Sequence, residues 1–146
     1  MLEISKAKRY EAVHYFNDPR IPVLGMNENW GSKLVDIRDP WWANFLITQL
    51  RASYSSGNFE GVFFDTADGY WALDPIVPGH IAEFIEATAD IIKAVKAAFP
   101  DKGIIPNRCF NAFPFCKEAL SCFLFEGLYY GFSGEKSAEG TAELLE

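Results

Sequence analysis

The side chains best placed to do chemistry in this sequence are carboxylates that end short apolar runs. Asp36 lies within Leu34-Val35-Asp36-Ile37, Asp65 follows Val62-Phe63-Phe64, and Glu126 follows Phe123-Leu124-Phe125. Polar partners gather beside them: Arg38 and Asp39, Thr66 and Asp68, and the pair Asn107-Arg108 after Ile104-Ile105-Pro106. A carboxylate after so apolar a run is costly unless it is paired, hydrogen-bonded or kept protonated. Two that converge on one cleft suit glycoside hydrolysis: one protonates the leaving oxygen, the other attacks the anomeric carbon or activates water. Asp65 and Glu126 are the expected pair. The bland alternative is that Asp65 caps the following loop and Glu126 pairs with Arg108. Repetition at several strand ends favours a site.

Flat rings supply a second argument, because an aromatic face stacks on the C–H face of a sugar while its polar edge stays wet. Trp30, Tyr70 and Trp71 are the candidate sugar contacts, whereas Trp42, Phe45, Phe84 and Phe99 fall at helix-packing positions. Other chemistries find little support. His14 and His80 are the only histidines, and Cys109, Cys116 and Cys122 form no C-x-x-C pair, so no metal site and no cofactor is expected. Cys109 follows Asn107-Arg108 but has no histidine placed to activate it.

These groups need a scaffold, and the composition provides for one. Of 146 residues, 49% are hydrophobic and 16% aromatic, which suits one folded domain. The net charge of -7 opposes binding to nucleic-acid phosphates. No apolar run approaches the ~20 residues of a membrane helix, and the first residues are too polar for a secretory leader. Neither nucleic acid nor membrane is an expected partner.

Apolar runs at 33–37, 61–65, 103–107 and 122–126 predict strands, with a fifth at 21–24, and their continuous apolarity suits burial on both faces. Asp39 as N-cap and Pro40 as first helical residue predict a helix that runs to Gly57. Ile81, Phe84, Ile85, Thr88, Ile91, Ile92, Val95 and Phe99 predict a long helix stopped by Pro100. A shorter helix is expected over 113–120, and the Gly-, Ser-, Glu- and Ala-rich tail at 131–146 is expected to be loose. The alternation predicts an α/β fold with a parallel sheet, a (β/α) barrel being favoured because no phosphate-cradling glycine motif follows a strand. A complete barrel takes ~250 residues, so only part of one is expected.

Four stretches together resemble glycoside hydrolase family 114, the endo-α-1,4-polygalactosaminidase type. They are Val35-Asp36-Ile37-Arg38-Asp39-Pro40-Trp41, Phe59-Glu60-Gly61-Val62-Phe63-Phe64-Asp65-Thr66-Ala67-Asp68, Pro106-Asn107-Arg108 and Phe125-Glu126-Gly127-Leu128-Tyr129. The second is the most specific and is similar to the family's F-D-G-V-F-L-D-T-x-D. The resemblance implies a (β/α)8 barrel, of which this chain is roughly the later half, acting on α-1,4-linked galactosamine-containing polysaccharide and set outside the cell. It implies Asp65 as nucleophile and Glu126 as general acid/base, with Asp36, Arg38, Asp68 and Asn107 lining the substrate site, beside Arg108. Met1-Leu2-Glu3-Ile4 resembles the family's earlier Gly-Glu motif with Leu2 in the glycine position, which makes Glu3 a displaced site residue. Glu60 replaces the aspartate of F-D-G, and Cys109 stands where a glycine often follows Asn-Arg.

A different class of function is also open: a non-catalytic carbohydrate-binding or structural fragment. An incomplete barrel has bare strand edges, which invite pairing with another chain, so a homodimer is an allowed partner beside the glycan. The two classes separate on whether glycan binding is accompanied by release of reducing ends.

Overall fold

The computed structural model describes residues 2–3, 6–7, 17–28 and 31–126. In chain order the elements are β1 (Leu2–Glu3), β2 (Lys6–Ala7), β3 (Val23–Asn27), β4 (Ser32–Val35), α1 (Pro40–Ser56), β5 (Gly61–Asp65), α2 (Tyr70–Leu73), α3 (Ile81–Ala98), β6 (Gly103–Pro106), α4 (Phe113–Cys116) and a 3-10 turn (Lys117–Ala119). The fold is mixed α/β, with a parallel sheet in the order β1-β5-β6 and a separate antiparallel sheet in the order β2-β4-β3. The expected tail at 131–146 lies outside the described residues.

Helix α1 starts where the cap residues place it. The Asp39 side chain accepts from the Trp41 amide at 2.8 Å, Pro40 takes the position where a missing N–H costs nothing, and Gly57 ends the helix. Trp42, Leu46 and Leu50 recur every fourth residue and are the face that α1 buries. Helix α3 buries Phe84, Thr88, Ala89, Ile91, Ile92 and Val95, and Thr88 satisfies its hydroxyl on the Phe84 carbonyl at 3.0 Å. Burying such side chains stabilises the fold by about 1.5–3 kcal/mol for each large apolar one. The expected helix at 113–120 forms as the single turn α4 followed by the 3-10 turn.

β5, α3 and β6 make a parallel crossover in which Gly61 lies opposite Gly103 and Phe64 opposite Pro106. Beyond β6 the chain returns alongside it: the Ser121 amide bonds the Ile104 carbonyl at 2.9 Å, Leu124 bonds Pro106 at 3.0 Å, and Arg108 bonds Leu124 at 3.0 Å. The expected strand at 122–126 does not form as an element: the segment lies beside β6 with one isolated parallel bridge, between Asn107 and Leu124.

Two further expectations are corrected. The run at 33–37 forms β4, but β4 pairs antiparallel with β2 and β3 and is not the parallel neighbour of β5. That neighbour is β1, with Leu2 opposite Phe64 and Glu3 opposite Asp65. The second concerns burial. Val62 and Phe64 are buried while Gly61, Phe63 and Asp65 are half-buried, and β6 alternates in the same way. One face of the parallel sheet lies under the helices; on the other, Phe63 and Ile105 sit side by side, partly open.

Candidate active site

The strand ends carry the site because of their register. Neighbouring parallel strands run about 4.8 Å apart, so residues just past adjacent ends are within side-chain reach. Asp65 ends β5, Asn107 follows β6, and Glu126 lies just past the Leu124 bridge. The Asn107 amide nitrogen donates to the Phe64 carbonyl at 2.8 Å, which fixes Asn107 beside Asp65.

Asn107 joins the two carboxylates. Its Nδ2 donates to Asp65 Oδ1 at 3.1 Å and to Glu126 Oε2 at 2.7 Å. One nitrogen is thus within hydrogen-bond reach of both carboxylates. Asp65 Oδ1 also accepts from the Thr66 amide at 2.8 Å, so the loop-capping role coexists with the bridge. Glu126 bonds Asn107, while Arg108 pairs with Asp68, Nε to Oδ2 at 3.1 Å. That Nε is buried without a well-aligned hydrogen bond, so Arg108 and Asp68 are an ion pair by distance alone.

The backbone is strained at both strand ends. Thr66 and Arg108, the residues immediately after Asp65 and Asn107, have φ of 53° and 56°. A β-branched residue in the left-handed region is an outlier that costs about 1–3 kcal/mol, a pattern that clusters where side chains must be aimed.

The remaining site candidates divide. Asp36 and Arg38 form a two-point pair, with Nε–Oδ1 and Nη2–Oδ2 both 2.8 Å, and Arg38 Nη1 reaches Glu83 Oε2 at 2.8 Å. Arg38 also lies over the Phe84 ring, 4.5 Å from its centroid. This network ties the end of β4 to the first turn of α3; among the described residues none of its bonds reaches Asp65, Asn107 or Glu126. The Arg38 guanidinium holds the Asp36 carboxyl below the usual carboxylate range.

Tyr70 and Trp71 are adjacent in α2 and opposite in setting. Tyr70 is fully buried: its hydroxyl donates to Asn111 Oδ1 at 3.2 Å and accepts from the Asn111 amide at 3.3 Å, and burial pushes its pKa up to about 12. Its ring has no open face, which corrects its reading as a sugar contact to one of holding the loop after β6. Trp71 is 57% exposed and keeps an open face. Trp30 and the side chain of Glu3 lie outside the described residues.

Cys109 is buried, and its contact with Cys116, together with burial, holds its thiol above the usual range, which leaves it a poor nucleophile. Among the described residues no group of three His, Cys, Asp or Glu side chains is arranged to hold a metal ion, and no helix is long and apolar enough to cross a membrane. A groove of about 490 Å³ between α3 and α4 is lined by Lys93, Lys96, Phe115 and Lys117 and contains none of the site residues.

Comparison with known structures gives a likeness of fold. The architecture is similar to part of that of solved glycoside hydrolase domains. In particular, the chain is similar to the glycoside hydrolase domain of PelA from Pseudomonas aeruginosa, with a TM-score of 0.74 and 18% identity over 92% of this chain and 53% of that one. A variant of the same domain gives 0.77 and 17%, over 99% and 58%. Ega3 of Aspergillus fumigatus, in complex with galactosamine, gives 0.59 and 16%, over 84% and 47%. At these identities the likeness establishes the fold. The chain spans about half the length of the structures it matches. No protein-family model and no curated protein matches it.

Proposed function

We propose that residues 1–146 form one glycoside-hydrolase domain, the later half of a (β/α)8 barrel, that cleaves α-1,4-linked galactosamine-containing polysaccharide with Asp65 as nucleophile and Glu126 as general acid/base. The observation that carries this reading is the single amide nitrogen of Asn107 bonded to both carboxylates. Two carboxyls held on one nitrogen favour the closer spacing of retaining enzymes, about 5–5.5 Å, over the ~6.5–9.5 Å that inverting ones need to admit a water. Half-buried Phe63 and Ile105, partly open on one sheet face, support the half-barrel, since a closed barrel fills that side with side chains.

The bonds also distinguish the oxygens. Among the described residues, donors to Asp65 meet Oδ1 and the donor to Glu126 meets Oε2. Oδ2 is then the oxygen that attacks the anomeric carbon, and Oε1 the one that delivers the proton to the leaving oxygen. In this reading exposed Trp71 and the Asp68–Arg108 pair are the substrate contacts. A positively charged aminosugar polymer suits the acidic chain, net charge -7.

The test is incubation with de-N-acetylated galactosaminan and a panel of neutral glycans, followed by a reducing-end assay. Cleavage of the aminosugar polymer with retained anomeric configuration is expected, and Asp65→Asn and Glu126→Gln should each abolish it with melting curves unchanged. Wild-type turnover by either variant refutes the assignment. The half-length coverage favours one further reading, in which a glycan is bound and not cut; binding without new reducing ends would establish it.

A further inference from the structure

We infer that Asn107 is a positioning residue for both halves of the reaction, one that keeps a charge-assisted hydrogen bond as negative charge passes between Asp65 and Glu126. The inference rests on the reading of those two groups as the catalytic pair. Asn107 is 4% exposed, and its backbone is held on both sides, by Phe64 through a 2.8 Å bond and by the parallel bridge to Leu124. From that fixed point Nδ2 carries one hydrogen towards each carboxylate, at 3.1 and 2.7 Å. The opposite amide orientation would set Oδ1 against two carboxylate oxygens, so the carboxylates choose the orientation.

The consequence for Oδ1 is informative. It is buried and has no hydrogen-bond partner among the described residues. A side chain present only to satisfy the fold would not be expected to leave its carbonyl unpaired in order to place both donors on two acids. This arrangement sacrifices local satisfaction for control of the pair.

The charge bookkeeping of a retaining reaction explains the use. In the first step Asp65 Oδ2 bonds the anomeric carbon, the glycosidic C–O bond breaks, and the leaving oxygen takes the proton of Glu126; the single negative charge moves from Asp65 to Glu126. In the second step a water oxygen bonds the anomeric carbon, its proton goes to Glu126, and the Asp65–carbon bond breaks; the charge returns to Asp65. The pair carries one negative charge in each resting state. A donor on only one acid would favour one half of the cycle and oppose the other, whereas Asn107 faces the ionised acid in both. Charge-assisted bonds are about twice as strong as neutral ones, so the stronger bond moves with the charge.

The experiment is nuclear magnetic resonance of the side-chain amide of Asn107 in the whole chain, assigned by its loss in Asn107→Ala. Two distinct proton signals are expected; Asp65→Ala should move one of them and Glu126→Ala the other. Both variants moving the same signal, or either moving neither, overturns the inference. In the reducing-end assay Asn107→Ala should lower kcat by about 10²-fold, the cost of misplacing a reacting group by ~1 Å, with KM unchanged. A raised KM with kcat retained would make Asn107 a substrate contact and overturn the positioning role. Divided signals in a chain that releases no reducing ends refute the hydrolase reading; hydrolysis with undivided signals refutes this inference alone.

Discussion

Alanine at Gly61 is expected to damage the fold far more than alanine at Gly103, although the two glycines face one another across β5 and β6. A Cβ on Gly61 would stand 2.4 Å from the Gly103 carbonyl oxygen and 2.9 and 3.0 Å from that residue's carbonyl carbon and Cα. These are backbone atoms and cannot rotate aside, so β5 must move by about 1 Å to restore a contact near 3.5 Å. The movement falls on the bond from the Gly103 amide to the Glu60 carbonyl, now 2.9 Å. Losing one or two such bonds at ~1 kcal/mol each, with ~1–3 kcal/mol of overpacking, gives a cost of about 2–5 kcal/mol. That is a large share of the ~5–15 kcal/mol that stabilises a whole domain. A Cβ on Gly103 meets the Ser121 hydroxyl at 3.3 Å and the Glu60 carbonyl at 3.6 Å. The hydroxyl, which accepts from the Ile104 amide at 3.3 Å, has to give by only a few tenths of an ångström, and reduced freedom of the unfolded chain returns ~0.4–1 kcal/mol, leaving a net change under about 1 kcal/mol. Urea unfolding separates the two: with a slope of ~1–3 kcal/mol per molar, Gly61→Ala should lower the midpoint by about 0.7–5 M and Gly103→Ala by less than half as much. Equal shifts, or a larger one at Gly103, would refute the claim that bare backbone contact sets the approach of the strands. Because Asp65 and Asn107 stand at the far ends of the same strands, the Gly61 variant should also weaken the bridge between them.

The two neighbouring rings of α2 should respond differently. Tyr70→Phe removes the buried bonds to Asn111 and is expected to cost about 1 kcal/mol of stability; Trp71→Ala should change stability by less than about 0.5 kcal/mol and weaken glycan binding, and the reverse pattern in melting and binding assays would contradict their assigned settings. Asp36 is held ionised by Arg38, so its contribution is full above its ordinary value of 3.8 and is lost as pH falls below that towards its lower folded value. Asp36→Asn should therefore cost no more than about 1 kcal/mol at neutral pH, with the gap to the parent closing as the solution is acidified through that window; a gap that widens there would reverse the sign of the argument. If the strand edges pair with a second copy, the mass in size-exclusion light scattering should be twice that of the 16.4 kDa chain, and a concentration-independent monomer would dismiss the homodimer.

What could be read in the residues follows from how local each determinant is. Helix α1 was legible from Asp39, Pro40 and Gly57, and α3 from the spacing of its apolar side chains, because caps and periodicity act within a turn or two. β5 and β6 were legible as strands, but the pairing of β4 was not. Leu34, Val35 and Ile37 are buried in the core cluster, and an apolar run looks the same whether its neighbour is parallel or antiparallel. The choice was made by β2 and β3, a two-residue strand and a bulged one with little pattern of their own. β1 is equally short, and only the resemblance of Met1-Leu2-Glu3-Ile4 to a Gly-Glu motif pointed to it. Bringing three of the candidate side chains together needs less than setting the whole sheet. Asp65, Asn107 and Glu126 depend on three adjacent parallel ends, which the β5–α3–β6 crossover and the return past Leu124 fix between them. Asp36 and Arg38 follow β4, whose antiparallel pairing leaves them bonded to each other and to Glu83. The bridge has no signature in the residues: Asn107 follows Pro106 as a polar residue commonly ends a strand, and its use of one nitrogen for two acids exists only once both neighbouring ends are in place.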